Sequence, residues 1–126
     1  MTKAKAVKAL SLWLPVLVLC SLIFYMSSIP FLKTNLGIWD LILRKMAHMC
    51  EFGLLFLLTK RAVSGSGFGW GAKEIAFSAV LFAFLYAVSD EMHQAFTAGR
   101  YASTVDVGID SAGIALAYIV NRIFRK

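Results

Sequence analysis

Residues 75–96 read IAFSAVLFAFLYAVSDEMHQAF. The stretch carries no charge up to Ser89 and then places Asp90, Glu91, His93 and Gln94 at its end. A helix rises ~1.5 Å per residue, so ~20 apolar residues cross the ~30 Å hydrocarbon core of a bilayer. This run is long enough, and three others match it, at residues 7–26, 39–59 and 104–121. The whole chain has 126 residues, of which 60% are hydrophobic, and a mean hydropathy of +0.74. A soluble chain this short has too much surface to hide so many apolar side chains. Transmembrane strands would be about half as long as these runs. The expected fold is therefore all-α: a single domain that forms an integral membrane bundle of four transmembrane helices.

Details of the runs fit this frame. The first follows Lys3, Lys5 and Lys8 and is longer than the ~7–15 apolar residues of a signal peptide, so it reads as a retained helix, with a kink expected at Pro15. The second ends at Lys60 and Arg61, before the flexible composition of Ser64 to Gly71. A polar turn, residues 97–103, separates the third run from the fourth. Cys20 and Cys50 lie in apolar stretches without a CxxC spacing and read as small buried hydrophobes.

The net charge of +6 raises the question of nucleic acid. The basic residues flank apolar runs instead of forming an aromatic-interleaved stripe, which argues against that partner. They also set a direction. One side of the four runs holds Lys3, Lys5, Lys8, Lys60, Arg61, Lys73, Arg122, Arg125 and Lys126, and the other holds Lys33, Arg44, Lys45 and Arg100. The positive-inside rule then puts both termini and the glycine-rich loop in the cytoplasm, with Tyr25, Trp39 and Tyr101 at the outer interface.

With that orientation the unusual residues gather at one level. Arg44, Lys45, His48 and Glu51 occupy the outer half of the second helix. Asp90, Glu91, His93 and Gln94 end the third, Arg100 lies in the turn, and Asp106 and Asp110 open the fourth. Glu51 would lie ~12 Å from the cytoplasmic edge of its helix. Helical spacing puts Arg44, His48 and Glu51 within roughly one 60° sector. It also puts Asp90, His93 and Gln94 on a shared face and stacks Asp106 on Asp110, with Gly113 continuing their face. One ionised side chain at the bilayer centre costs ~2.5–3.5 kcal/mol, so these groups must face one another or water. The five carboxylates outnumber the three Lys and Arg in this set, which calls for shared protons, charged histidines or a bound cation.

The segments Lys45-Met-Ala-His48-Met-Cys-Glu51-Phe52, Ser89-Asp90-Glu91-Met-His93-Gln94-Ala-Phe96, Gly99-Arg100-Tyr-Ala-Ser103 and Asp106-Val-Gly-Ile-Asp110, with Gly113 and the earlier Tyr25-Met-Ser27-Ser28, resemble the VanZ-like family of small bacterial membrane proteins. The resemblance runs from about Leu22 onward. Thr97-Ala98 departs from the family's Val-Pro before Gly-Arg. The resemblance implies a multi-pass protein of the bacterial cytoplasmic membrane, serving the cell envelope. The family is named for a member linked to glycopeptide (teicoplanin) antibiotic resistance, and it implies no settled activity.

The residues support two classes of function. One is action on, or binding of, membrane lipids or a lipid-linked envelope precursor. Here His48 or Glu51 is the general base, Asp90 or Glu91 its partner, His93 and Gln94 complete the catalytic set, and Lys45 and Arg100 anchor a phosphate or carboxylate. Arg44, Asp106 and Asp110 belong to the substrate-binding set. The blander account is an ion-pair network fixing helix register, with Asp106 or Asp110 paired to Arg100 or Arg44, or the fourth helix capped through Ser103 or Thr104. A divalent metal at His48, Glu51, Asp90 and His93 is a sharper variant, opposed by the nearby Arg44 and Lys45. The other class is an ion- or proton-coupled transporter, or a small subunit of a membrane assembly; oligomerisation is left open. Leu54 to Leu58 and Phe77 to Leu85 are expected to form a dry plug below the polar level, which argues against a through-pore.

Overall fold

The computed structural model describes residues 1–29 and 35–125; Lys33 and Lys126, used in the charge count above, lie outside the described residues. The described chain forms four helices: α1 (Lys3–Ser28), α2 (Ile38–Gly65), α3 (Ala72–Gln94) and α4 (Thr104–Phe124). Three of them, α1, α3 and α4, are long and apolar enough to cross a membrane. The α2 helix is the longest, with 28 residues, but its charges at Asp40, Arg44, Lys45, Glu51, Lys60 and Arg61 set it apart. It packs against all three of the others, while α1 and α4 do not touch. The two middle helices thus form the short diagonal of the bundle, and the charged helix is the one most enclosed by protein.

The seams are built from side chains small enough, or regularly enough spaced, to bring helices together. In α1, Leu12, Val16, Leu19 and Ile23 recur every three or four residues and are buried. Ala79, Ala83 and Ala87 form a fully buried stripe along α3, and Phe52, Leu55 and Phe56 of α2 fill the space beside them. Apolar side chains gain little by leaving lipid for protein, so close van der Waals packing through small residues is what holds such helices. The tightest point is between α2 and α4. A Cβ on Gly53 would lie 3.0 Å from the Gly113 carbonyl oxygen, and one on Gly113 would lie 2.8 Å from the Met49 Cα.

Two bonds show how the chain handles its irregularities. Pro15 lies inside α1 and has no N–H, which leaves the Ser11 carbonyl without its helical donor. Arg61 Nη1 donates to that oxygen at 3.2 Å. Trp13 Nε1 donates to Ser66 Oγ at 3.0 Å, tying the end of α2 to α1.

The helices depart from the expected bounds at their ends. The first begins earlier, at Lys3, because the Thr2 side chain caps it by accepting from the Lys5 amide at 3.3 Å. The second runs on to Gly65, so Ser64 and Gly65 belong to helix rather than linker; buried Ala62 and Val63 hold that last turn in the bundle. The third starts earlier, at Ala72, and stops at Gln94 rather than Phe96. There Phe96 and Thr97 turn back through amide bonds to the His93 and Gln94 carbonyls. The fourth continues to Phe124. Apolarity marks the part of a helix that lies in lipid, whereas the hydrogen-bonded helix extends past it into the interface.

An apolar layer forms below the polar level from part of the expected stretches, Leu55, Phe56, Ala79 and Ala83, together with residues outside them. Leu55 and Phe56 are buried, while Leu54, Phe77, Phe82, Phe84 and Leu85 face outward. The plug is made by Phe52, Leu55, Phe56, Ile114 and the alanine stripe of α3.

Candidate functional site

The polar side chains of the sequence collect at one end of the bundle, where α1 and α3 finish and α2 and α4 begin. They divide into a mouth, a wall and a floor.

The mouth is a cavity of about 270 Å³ lined by Arg44, Lys45, His48, Glu91, Arg100 and Asp106, among others. The Thr97–Arg100 turn aims Arg100 over it. Gly99 adopts a φ of 75°, open to glycine at little cost, and the Arg100 amide closes the turn on the Thr97 carbonyl at 3.1 Å. The guanidinium donates to the Ile29 carbonyl at 3.3 Å and, more weakly, to that of Met26 at 3.5 Å. Burial, and then the charge of Arg44, lower its pKa from the ordinary arginine value. The other two cations are paired: Lys45 with Asp106 across helices, and Arg44 with Asp40 one turn earlier on α2. Among the described residues, Arg100 forms no ion pair.

The wall joins α3 to α1. Ser27, almost fully buried, donates to Asp90, and Gln94 Nε2 donates to Ser27 Oγ at 3.2 Å and Asp90 Oδ2 at 3.3 Å. Thr97 Oγ1 donates to the Ser27 carbonyl at 3.2 Å. Ser28 Oγ lies 2.9 Å from His93 Nε2, and the His93 ring stacks on Phe24 with centroids 4.5 Å apart. Glu91 serves the neighbouring helix: its Oε2 accepts from the Ser103 amide at 2.9 Å, and the Ser103 side chain caps α4 by accepting from Val105 at 3.2 Å.

The floor holds the deepest groups. Asp110 is fully buried. Its Oδ1 lies 3.4 Å from His48 Nδ1, an electrostatic contact rather than an aligned hydrogen bond, and among the described residues neither of its oxygens receives a donor. Glu91 Oε1 is likewise buried without one. Beside them a pocket of about 50 Å³ is lined by Ser27, Arg44, His48, Glu51 and Arg100. A buried carboxylate without donors is costly, so this arrangement suits handling a proton or a ligand better than bracing a fold.

Several expectations need correction. Asp106 pairs with Lys45 and Asp110 with His48, not with Arg100 or Arg44, because α4 packs along α2 with Gly113 against Met49 and so stacks those positions. The partner of His48 is therefore Asp110 rather than Asp90 or Glu91. Asp90, His93 and Gln94 do share a face, but that face looks at α1. The mouth is lined by α2, α3 and α4, as expected, and α1 joins through Ser27 in the wall and in the smaller pocket. His93 contacts Ser28 and Phe24. Cys50 is exposed rather than buried. Sequence reasoning assigned no site role to Ser27 or Ser28; two hydroxyls ending an apolar run were the available signal.

A family model described as VanZ/LLP1 matches residues 12–125. The chain belongs to the VanZ/LLP1 family. The match extends back over most of α1, so it covers all four helices that build the mouth, wall and floor. No curated protein and no solved structure matches the chain. Membership and the three apolar helices together make this a VanZ-like membrane protein.

Proposed function

We propose that this VanZ-like protein binds the anionic headgroup of an envelope lipid or lipid-linked cell-wall precursor in its mouth. The observation that carries this reading is Arg100. A half-buried cation held over a polar cavity and, among the described residues, hydrogen-bonded to backbone carbonyls without an ion pair is an open seat for phosphate or carboxylate. Lys45 and Arg44 stand beside it, each able to exchange an acidic neighbour for the ligand.

The orientation belongs to the same proposal. Lys3, Lys5, Lys8, Lys60, Arg61, Lys73, Arg122 and Arg125 lie at the end opposite the mouth, which by the positive-inside rule faces the cytoplasm and opens the mouth toward the outer leaflet of the bacterial plasma membrane. In this reading α2 crosses with its neighbours, its charges shielded by the helices around it. His48 keeps its Nδ1 proton toward Asp110 and offers Nε2 to the bound headgroup as a proton acceptor, with Glu51 alongside. A contribution to glycopeptide (teicoplanin) resistance would follow from handling envelope precursors.

The direct test is lipid retention by purified protein in native mass spectrometry. A charge-assisted hydrogen bond contributes ~1.5–3 kcal/mol, so Arg100→Ala should weaken phosphatidylglycerol retention by roughly 10- to 150-fold, with Arg100→Lys recovering part of the loss. Equal retention by wild type and Arg100→Ala would end the proposal. Ion flux through liposomes holding the purified protein alone would favour a transporter instead.

A further inference from the structure

Two apolar grooves run down the two sides of α4, each with a volume of about 460 Å³. They differ at the top. The groove against α2 has Gly53, Gly113 and Ala117 as its floor and Met46, Leu57 and Leu116 among its walls. It begins at Met46 and Met49, the residues that directly follow Lys45 and His48 of the mouth. The groove against α3, lined by Val80, Phe84, Ala115 and Tyr118, leads upward past Val88 and Val107 to Glu91 and Ser103, with no cation there.

Length and chemistry identify an occupant for the first groove. Met46 and Leu57 are eleven residues apart on one helix, so the groove spans ~16 Å, close to the ~15 Å of a single leaflet's hydrocarbon. Its lining is almost wholly apolar, and Met49 at its top lies one helical turn below Lys45 of the cavity lined by Arg44, Lys45 and Arg100. The paired glycines let α2 and α4 meet backbone to backbone, which sinks the floor below the general surface of the bundle. The polyprenyl chain of a lipid-linked precursor is far longer than one leaflet is deep.

We infer that the α2–α4 groove holds one acyl chain of an anionic glycerophospholipid whose headgroup enters the Arg100 mouth, which would make the groove a chain-length gauge for the ligand. The inference rests on the headgroup reading above and adds the lipid class to it. The α3–α4 groove, of equal size but without cations at its top, holds only exchanging bulk lipid.

The two sides of α4 provide a matched experiment. Leu116 and Ala115 are both exposed and line opposite grooves, so tryptophan at either position fills a groove without entering the core. The probes are dipalmitoyl and dihexanoyl phosphatidylglycerol, with dipalmitoyl phosphatidylcholine for headgroup preference, read by native mass spectrometry of the full chain. Leu116→Trp should weaken dipalmitoyl phosphatidylglycerol at least tenfold, while Ala115→Trp stays within twofold and dihexanoyl phosphatidylglycerol is held equally by both. Val120→Trp, at the lower end of the first groove, should shift the preferred chain from sixteen carbons toward twelve. Equal effects of Leu116→Trp and Ala115→Trp, or unaltered chain preference in Val120→Trp, would show non-selective annular lipid only and overturn the inference. Loss of the phosphatidylglycerol preference in wild type, with the Leu116→Trp effect intact, would instead overturn the headgroup reading and leave the chain groove standing.

Discussion

Replacing Gly113 by alanine should break the contact on which the pocket's floor depends. The added Cβ would lie 2.8 Å from the Met49 Cα and carbonyl carbon, whereas ordinary contact begins at 3.4 Å. The α2 and α4 axes must therefore part by at least the difference, about 0.6 Å, against backbone that cannot rotate away. Overpacking of this kind costs ~1–3 kcal/mol, and the upper half of that range applies because the same shift pulls Lys45 from Asp106 and His48 from Asp110. Alanine recovers ~1 kcal/mol of helix propensity relative to glycine, leaving a net loss of ~1–2 kcal/mol. Gly108, on the same helix, is the internal standard: its Cβ would meet nothing within 4 Å, so Gly108→Ala should be neutral or stabilise by up to ~1 kcal/mol. Reversible unfolding in mixed micelles reads both variants, and Gly113→Ala should be the less stable by ~1–3 kcal/mol. Equal stabilities would mean that α2 and α4 do not meet at Gly113, and the pairing of Asp110 with His48 would go with that contact.

Other side chains give independent checks. Ser27→Ala removes a donor from Asp90 in the buried wall and should lower stability by ~1–3 kcal/mol in the same unfolding assay; no change would mean that Asp90 finds water there. Asp110→Leu removes one partner of the buried pair with His48 and should lower stability by ~3–5 kcal/mol; a variant as stable as wild type would contradict the assigned pairing. Reversing the ion pair with Lys45→Asp and Asp106→Lys together should recover most of the stability that either change alone removes, measured as a double-mutant cycle. Pro15→Ala restores an amide donor for the Ser11 carbonyl, so Arg61→Ala should cost less in that background than in wild type.

Helix number and approximate position were legible in the sequence because solvation by lipid demands continuous apolar runs, and the runs at 75–96 and 104–121 have few interruptions. The shared level of the polar residues was legible for the same reason: alternating helices bring Glu51, Asp90 and Asp106 to one end. Which partner each residue chooses was not. That depends on the rotation of α4 about its axis, fixed by where Gly113 meets Met49, and a periodicity in one helix carries no information about the phase of its neighbour. The involvement of α1 was hidden differently. Ser27 and Ser28 carry no charge, and serines ending a helix are common enough that their place in the Tyr25-Met-Ser27-Ser28 segment did not single them out as the hydroxyls against Asp90 and His93. The role of Glu91 in holding the entry to α4 depends on the turn at Gly99, a local geometry set only when both helices are in place.

The central claim is that polar groups of α2, α3 and α4 surround a seat for an anion under Arg100. An experimental structure in lipid nanodiscs containing phosphatidylglycerol tests it most directly. Density for a phosphate within hydrogen-bond distance of Arg100 and Lys45, with a chain descending beside Gly113, is the expected result. An Arg100 turned outward to the bilayer surface, with His48 and Asp110 on separate faces and no headgroup between them, would contradict it.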